Sequence, residues 1–318
     1  MMPSYLSRIH KDDLSKDRFH ILQLIEKYNI DTSNIVIEIT EDEFNGSIDK
    51  LVEIIDVFRK YGLKIAVDDL GIGFSNLERI GYIHPDIIKV DIQFLRQSVN
   101  KNSFFQVLNA ISEMSNKLGS QLLFEGIETE EEVNLALSMG ANLMQGYFFS
   151  PARPEFLNRN VYSDKIKDLL EYFAGIRFLE ILHNSHKEQK LVDSLNALFQ
   201  GTEWNVKHTD SIIATFTNLI SEIPSQVRRI FLCDLYGYQI TPTFQRTISG
   251  ALEERGSGMG NNYAWKPYFI RHKAESYHHG KPWNITDPQY DIKNQSQYVI
   301  FTYSVSPEVI LVAQVDWN

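Results

Sequence analysis

The 318-residue sequence contains a single cysteine, Cys233, so no internal disulfide can form. That poverty fits a reducing compartment, with the cytoplasm as the default location. No apolar run reaches the ~20 residues that a membrane helix requires. The nearest stretch, 298–317, is interrupted by Ser304, Pro307, Glu308, Gln314 and Asp316 and alternates as two strands would. The start, Met1-Met2-Pro3-Ser4-Tyr5, lacks the basic and apolar segments of a signal peptide. Positive charge is also in deficit. With 31 basic against 41 acidic residues the net charge is −10, which disfavours a surface-wide groove for a nucleic-acid polymer. An acidic protein can still hold a phosphate through metal ions. There is no internal repeat and no low-complexity tract. What remains, 43% hydrophobic and 23% charged, is ordinary globular composition and excludes a disordered or collagenous chain. At about 100–200 residues per domain, this length suggests two domains or one large barrel.

From Asn34 to Phe149 short apolar runs alternate with amphipathic segments, the pattern of a parallel α/β architecture. The runs predict strands at 35–38, 64–68, 86–90, 121–125 and 142–147. One helix is expected from near Ser47 to Gly62, with Ile48, Leu51, Ile55 and Phe58 on its inner face. A second spans roughly 102–118, with Phe104, Leu108, Ile111 and Leu118 inward. A third opens with the capping box Thr129-x-x-Glu132 and ends at Gly140. Glu130-Glu131-Glu132 is most simply first-turn charge that favours the helix dipole. After Pro151 the pattern changes. Residues 156–200 read as helical, with Leu169, Leu170, Phe173, Ile176, Leu179 and Leu182 spaced for a buried stripe. From Trp204 onward, β-rich runs alternate with aromatic and glycine-rich loops, as in an α+β domain with an antiparallel sheet.

Each apolar run of the first half ends in a residue able to do chemistry. Ile35-Val36-Ile37 precedes Glu38, Ile65-Ala66-Val67 precedes Asp68-Asp69, and Ile87-Ile88 precedes Lys89. Leu122-Leu123-Phe124 precedes Glu125, and Leu143-Met144 precedes Gln145. In a parallel sheet or βα barrel the C-terminal strand ends converge on one face. Carboxylates gathered there repel one another unless cations sit among them. Hard divalent ions suit such oxygen ligands, and adjacent aspartates allow one carboxylate to bridge two metals. Taken singly, each acid also reads as a solvated loop or a helix cap. A lysine at a barrel strand end can serve as a Schiff-base nucleophile, although crowding carboxylates raise its pKa and argue against that use. Gly71-Ile72-Gly73 is too short for a dinucleotide fingerprint and reads as a loop over the site, with Ser75 and Asn76 to fix it.

The segment Asp68-Asp69-Leu70-Gly71-Ile72-Gly73-Phe74-Ser75-Asn76-Leu77 resembles the DDFGTGYSSL loop of EAL-domain cyclic-di-GMP phosphodiesterases. Around it stand Glu38-Ile39-Thr40-Glu41, Ile88-Lys89-Val90-Asp91, Glu125-Gly126-Ile127-Glu128 and Gln145-Gly146-Tyr147, in the family's order and spacing. The resemblance implies that Glu38, Asp68, Asp69 and Glu125 are metal ligands and that Glu125 and Glu128 lie around a second metal and its water. It implies that Lys89 orients the attacking water, that Gln145 positions water or substrate, and that Glu41, Gly71, Gly73 and Ser75 anchor or shape the loop. The implied cofactors are Mg²⁺ or Mn²⁺, with Ca²⁺ binding and inhibiting. The implied reaction is hydrolysis of cyclic di-GMP to linear pGpG, the alternative being a receptor or interaction module without turnover.

A family member begins with a strand, the Glu-Ala-Leu signature and a metal-binding Asn, none of which occurs here at the expected place. The expectation is therefore a partial (βα) TIM-type barrel that lacks its first strands, two ligands and with them its activity. Residues 156–318 resemble the EAL-associated, PAS-like C-terminal domain of YkuI-type proteins. The resemblance rests on Asp234-Leu235-Tyr236-Gly237-Tyr238-Gln239-Ile240, Ala264-Trp265-Lys266-Pro267-Tyr268-Phe269 and the terminal hairpin. The expected organisation is an EAL portion over 1–155 and, over 156–318, connecting helices to 200 followed by an α+β PAS-like domain. Expected partners are cyclic di-GMP, a second copy of the chain and a small ligand at the PAS-like domain. Asp234-x-x-Gly237 also reads as a plain tight turn. Trp265, Tyr268 and Phe269 read as core, and His278-His279 as a loop tip without partners at ligand spacing.

Overall fold

The computed structural model describes residues 5–8, 18–39, 48–68, 76–100, 102–155, 157–158, 160–206, 208–256, 258–291 and 293–317. They pack as two compact units, one up to Ile176 and one from Arg177. The first holds a six-stranded sheet in sequential order: β1 (Tyr5–Arg8), β2 (Ile35–Ile39), β3 (Lys64–Val67), β4 (Ile87–Asp91), β5 (Gln121–Glu125) and β6 (Leu143–Gln145). Every neighbouring pair is parallel. The five expected strands are present and β1 is an addition, so the count of five is corrected to six. Tyr-Leu-Ser-Arg carries no apolar run for a sequence reading to find.

Helices α1 (Arg18–Tyr28), α2 (Ile48–Lys60), α3 (Asn76–Ile83), α4 (Ile92–Asn100), α5 (Asn102–Leu118) and α6 (Glu130–Ser138) fill the intervals. The expected helix start near Ser47 lies outside the described residues. Strand parity decides which side chains meet the helices. Ile35, Ile37, Ile65 and Val67 pack with Leu51, Ile55 and Phe58 of α2. Ile88, Val90, Leu122 and Phe124 pack with Leu108, Ile111 and Val133. Leu118 does not join them. At 42% exposed it faces outward in the last turn of α5, which corrects its inward placement. The opposite face of the sheet carries Val36, Ala66 and Ile87, with Leu123 and Leu143 against them. Two residues further along each strand, on that same face, come Glu38, Asp68, Lys89, Glu125 and Gln145.

The second unit has an antiparallel sheet in the order β10-β12-β13-β7-β8-β9, with β11 pairing β12. Its strands are β7 (Val227–Asp234), β8 (Phe244–Arg246), β9 (Leu252–Glu254), β10 (Trp283–Ile285), β11 (Gln289–Asp291), β12 (Ser296–Ser306) and β13 (Val309–Asp316). One face packs Ile230, Leu232, Phe301 and Leu311 against Leu191, Leu195 and Phe199 of α7 (Ser163–Phe199) and Phe216 of α8 (Thr209–Leu219). The other packs Phe231, Cys233, Ile310 and Val312 against Phe269 of α9 (Pro267–His279).

Three expectations are corrected in this region. The helix begins at Ser163, and of its expected buried stripe only Leu169 is buried. Phe173 is half-buried, whereas Leu170, Ile176, Leu179 and Leu182 are exposed, Leu179 to 64%, because no described element packs over them. His278 and His279 form the last turn of α9, where Gly280 at φ 61° ends the helix, and not a loop tip. Trp265 is 68% exposed, whereas Phe269 is core as expected. The Asp234 segment is the tight turn. Its Oδ1 accepts the N–H groups of Tyr236 and Tyr238, both at 2.9 Å. Gly237 sits at φ 84°, where a Cβ would lie 2.5 Å from the Ala264 nitrogen. Among the described residues no helix is long and apolar enough to cross a membrane.

Candidate functional site

Lys89 is the centre of the charged layer. Its side chain is 3% exposed, and Nζ donates to Asp68 Oδ1 at 3.0 Å, to Glu125 Oε2 at 3.0 Å and, at very short range, to Glu38 Oε1. The backbone explains the convergence. Asp68 lies just past β3, held by its N–H on the Ile39 carbonyl at 3.0 Å. Lys89 pairs in register with Leu123, one step below Glu125 on the same face, and the long lysine stem spans that step. Glu125 pairs with Gln145, which places an amide beside the cluster at the next strand end.

Three carboxylates around one ammonium leave an excess of negative charge in a site shielded from water. Such a site resolves the conflict by shifting proton affinities. Burial raises Glu125 to about 7, with the Lys89 hydrogen bond only partly offsetting it. Burial and the hydrogen bond shared with Asp68 raise Glu38 as well. Burial also opposes the charge on Asp68, but hydrogen bonds from Glu38 and Lys89 prevail and hold it down at about 2. Burial works against the Lys89 charge too, yet its three carboxylate partners keep the amine above its ordinary value. The ammonium is therefore locked on, which removes it as a Schiff-base nucleophile.

Of the residues singled out in the sequence, Glu38, Asp68, Lys89 and Glu125 are brought into one ion cluster, and Gln145 stands at the adjoining strand end. Glu128 is turned elsewhere. It is half exposed and pairs with Arg96 Nη2 at 3.0 Å, while Arg96 Nε holds Glu132 Oε1 at 2.6 Å. Glu132 in turn completes the predicted capping box of α6. The sequence reading passed over Arg96, whose only signal is a lone cation on an otherwise uncharged α4. Glu41, Asp69, Gly71, Gly73 and Ser75 lie outside the described residues.

The donor set fits a hard divalent ion. Glu38, Asp68 and Glu125 offer only oxygen, carry more charge than Lys89 neutralises, and include one carboxylate that an added cation would hold ionised. Among the described residues no group of three acidic, histidine or cysteine side chains is spaced to hold an ion by itself.

A parallel βα sheet that gathers acids and one lysine at its strand ends defines an α/β protein with a charged strand-end site. Comparison with known proteins makes the class specific. Residues 8–152 match the EAL domain, and residues 156–317 match the EAL-domain associated signalling protein domain. The chain belongs to the family of signalling proteins that carry this associated domain behind an EAL domain. It is 29% identical over 302 residues to the EAL-domain containing protein YkuI of Bacillus subtilis strain 168, covering 93% of this chain and 73% of that protein. A crystal structure of Bacillus subtilis YkuI in complex with substrate c-di-GMP and calcium superposes with a TM-score of 0.86 at 26% identity. The superposition covers 98% of this chain and 78% of that one. The cyclic di-GMP phosphodiesterase PdeF of Escherichia coli strain K12 is 27% identical over 134 residues, which is 42% of this chain but only 18% of PdeF.

Proposed function

We propose that this chain is a cyclic-di-GMP signalling protein whose strand-end cluster receives the dinucleotide together with divalent cations, Mg²⁺ or Mn²⁺. The reaction class is hydrolysis of one phosphodiester bond to linear pGpG. The observation that carries this reading is Lys89 buried among Glu38, Asp68 and Glu125 on one face of the sheet. The likeness to YkuI, solved with c-di-GMP and calcium, supports it. Glu38, Asp68 and Glu125 would hold the cations, with Asp69 as a further ligand. Bound there, a divalent ion supplies Lewis acidity to the phosphoryl oxygens and to water. Lys89 keeps the carboxylates close despite their repulsion. Glu125, held ionised by the bound cation, would take the proton of the attacking water at Oε2. Gln145 orients the substrate from the next strand end. Water's oxygen joins phosphorus, one P–O bond to ribose breaks, and the ribose oxygen takes a proton.

The test is calorimetric titration of the chain with cyclic di-GMP in Ca²⁺, then in Mg²⁺ or Mn²⁺ with pGpG followed by chromatography. The expected result is binding that EDTA abolishes and that Asp68→Asn weakens by about 100-fold or more, because an amide offers no charge to a cation. Binding indifferent to EDTA and to Asp68→Asn overturns the reading. Cation-dependent binding without pGpG selects the receptor form of it.

Three finer points belong to the same proposal. The EAL portion ends near residue 155, with the associated domain following from 156. Two copies of the chain pair, supported by the exposed apolar surface of α7 at Phe178, Leu179 and Ile181. The protein works in the cytoplasm, where its second unit takes a small ligand as a signal. A lone, fully buried thiol fits that compartment.

A further inference from the structure

We propose that the second unit binds a small aromatic monocarboxylate in a hollow on the face of its sheet, with the carboxylate on Arg229 and Lys266 and the ring against Phe231 and Tyr263. This names the chemistry of the signal ligand suggested above, and it is independent of the strand-end site.

The hollow has a volume of about 370 Å³. It opens between the β7, β12 and β13 surface and the start of α9, at one end of the packing around Phe231 and Phe269. That size is at the small end of ligand pockets and suits a molecule of one or two rings, not a cyclic dinucleotide. Its floor is aromatic and aliphatic. The rings of Phe231 and Tyr263 lie 4.8 Å apart between centroids, and Ile300 and Val312 continue the apolar surface. The Tyr263 hydroxyl is directed away, onto Gln239 Oε1 at 3.3 Å, which leaves the ring as the exposed surface.

Charge sets the class of ligand. Arg229 and Lys266 line the hollow and no acidic residue does, although the chain as a whole carries −10. Among the described residues no carboxylate pairs with either cation. The adjacent Arg228, at the β-bulge of the same strand, shows the contrast. It is neutralised by Asp291 Oδ2 at 3.2 Å and Asp316 Oδ1 at 2.5 Å. The Arg229 guanidinium instead lies over the Phe231 ring, 5.9 Å from its centroid, with no counter-ion, next to the apolar surface that a ligand's ring would cover. Lys266 also precedes the first turn of α9 and makes no side-chain cap there, so the positive end of that helix adds to the same field. A planar ring with one carboxylate satisfies both halves of the hollow. Lys266 Nζ rests over the Trp265 ring at 4.0 Å from its centroid, a contact that supplies no counter-charge; a neutral ligand ring would add none either, and an inorganic anion leaves the apolar floor wet.

The experiment is thermal denaturation and calorimetric titration of the full chain with benzoate, phenylacetate and indole-3-acetate. Benzamide, benzylamine and inorganic phosphate serve as controls. At least one of the three carboxylates is expected to raise Tm by about 2 °C or more at saturation, with the controls inert. Arg229→Gln and Lys266→Gln should each lower its affinity about tenfold, and Arg229→Lys should restore part of it. Far-ultraviolet circular dichroism checks that the variants fold, and Lys266→Gln alone suffices if Arg229→Gln does not. Equal binding of benzamide or benzylamine overturns the carboxylate assignment while leaving a ligand-taking unit. Equal binding of phosphate overturns the role of the ring. No binding by any of the three carboxylates overturns the proposal outright, and unchanged cyclic-di-GMP titrations in the same samples would show that the strand-end reading survives it.

Discussion

Lys89 is the cation that bonds Glu38, Asp68 and Glu125 together at the strand ends. Removing it leaves like charges facing one another out of water, and breaking a buried ionic set in this way costs about 3–5 kcal/mol. Lys89→Met should therefore unfold at lower denaturant by about 3 kcal/mol at pH 8. The deficit should shrink toward pH 5, where protonation of Glu125 and Glu38, both raised in the fold, removes the repulsion. A deficit independent of pH would deny that charge is the cause. His272 offers a second titration in the other unit. It is 1% exposed, its Nε2 meets Ser304 Oγ at 2.9 Å, and burial depresses its pKa to about 4. The unfolded imidazole takes its proton near 6.5 and the folded one only near 4. Between those values the unfolded chain holds the extra proton, and stability falls as pH falls, by about 3 kcal/mol over the whole interval. His272→Gln should flatten that part of the stability-pH curve measured by denaturation, and an unchanged slope would assign it to other groups. At this scale the sequence was readable where parity and strand ends coincide, as for Glu38, Asp68, Lys89 and Glu125. It was silent on Arg96, because a partner 32 residues away leaves no local trace.

Among the elements, the end of β6 shows how backbone packing holds a site residue. Ile127 N–H bonds to the Gln145 carbonyl at 3.0 Å, and the Ile127 carbonyl accepts from Phe148 at 3.0 Å. A Cβ on Gly146 would collide with the Ile127 backbone itself. Gly146→Ala should thus destabilise the chain by about 2–4 kcal/mol and loosen the Gln145 end of the sheet. Hydrogen exchange at Ile127 and Phe148 reads the effect, and exchange rates equal to wild type would show that the turn absorbs the methyl. Helix α7 teaches the opposite lesson about legibility. Its apolar spacing was visible in the sequence, but periodicity gives a stripe and not its partner. Phe178, Leu179 and Ile181 remain 62–64% exposed, more apolar surface than a solvated helix has use for. If two chains pair through it, Phe178→Asp with Leu179→Asp should halve the mass measured by light scattering. A mass unaffected by the double change would place any pairing elsewhere. Strand β1 was missed for the converse reason, since its register against Ile35–Glu38 is a long-range pairing with no apolar signature of its own.

For the whole molecule, no described residue belongs to the buried clusters of both units. The larger core of the second unit draws its helical part from Leu191, Val192, Leu195 and Phe199 of α7 together with Ile212 and Phe216 of α8, so a piece comprising residues 156–318 contains every described residue of that core. It should melt in one cooperative transition, whereas a piece starting at Trp204 loses that cover and should be molten, with dye binding as the readout. Cooperative melting of the shorter piece would show that the sheet does not need the helix. The α/β and α+β halves were legible from the switch in hydrophobic period near Pro151. The antiparallel strand order was not, because register among distant strands is set by side-chain fit that no local pattern encodes. Cys233 gives this unit a built-in clock. It is the only thiol in the chain, it is fully buried on the same strand face as Phe231, and burial pushes its proton affinity far up. It reacts only when the sheet opens. The rate at which a colorimetric thiol reagent labels the native chain therefore reports, without any engineered probe, how often the second unit breathes and how far a molecule lodged beside Phe231 slows that breathing.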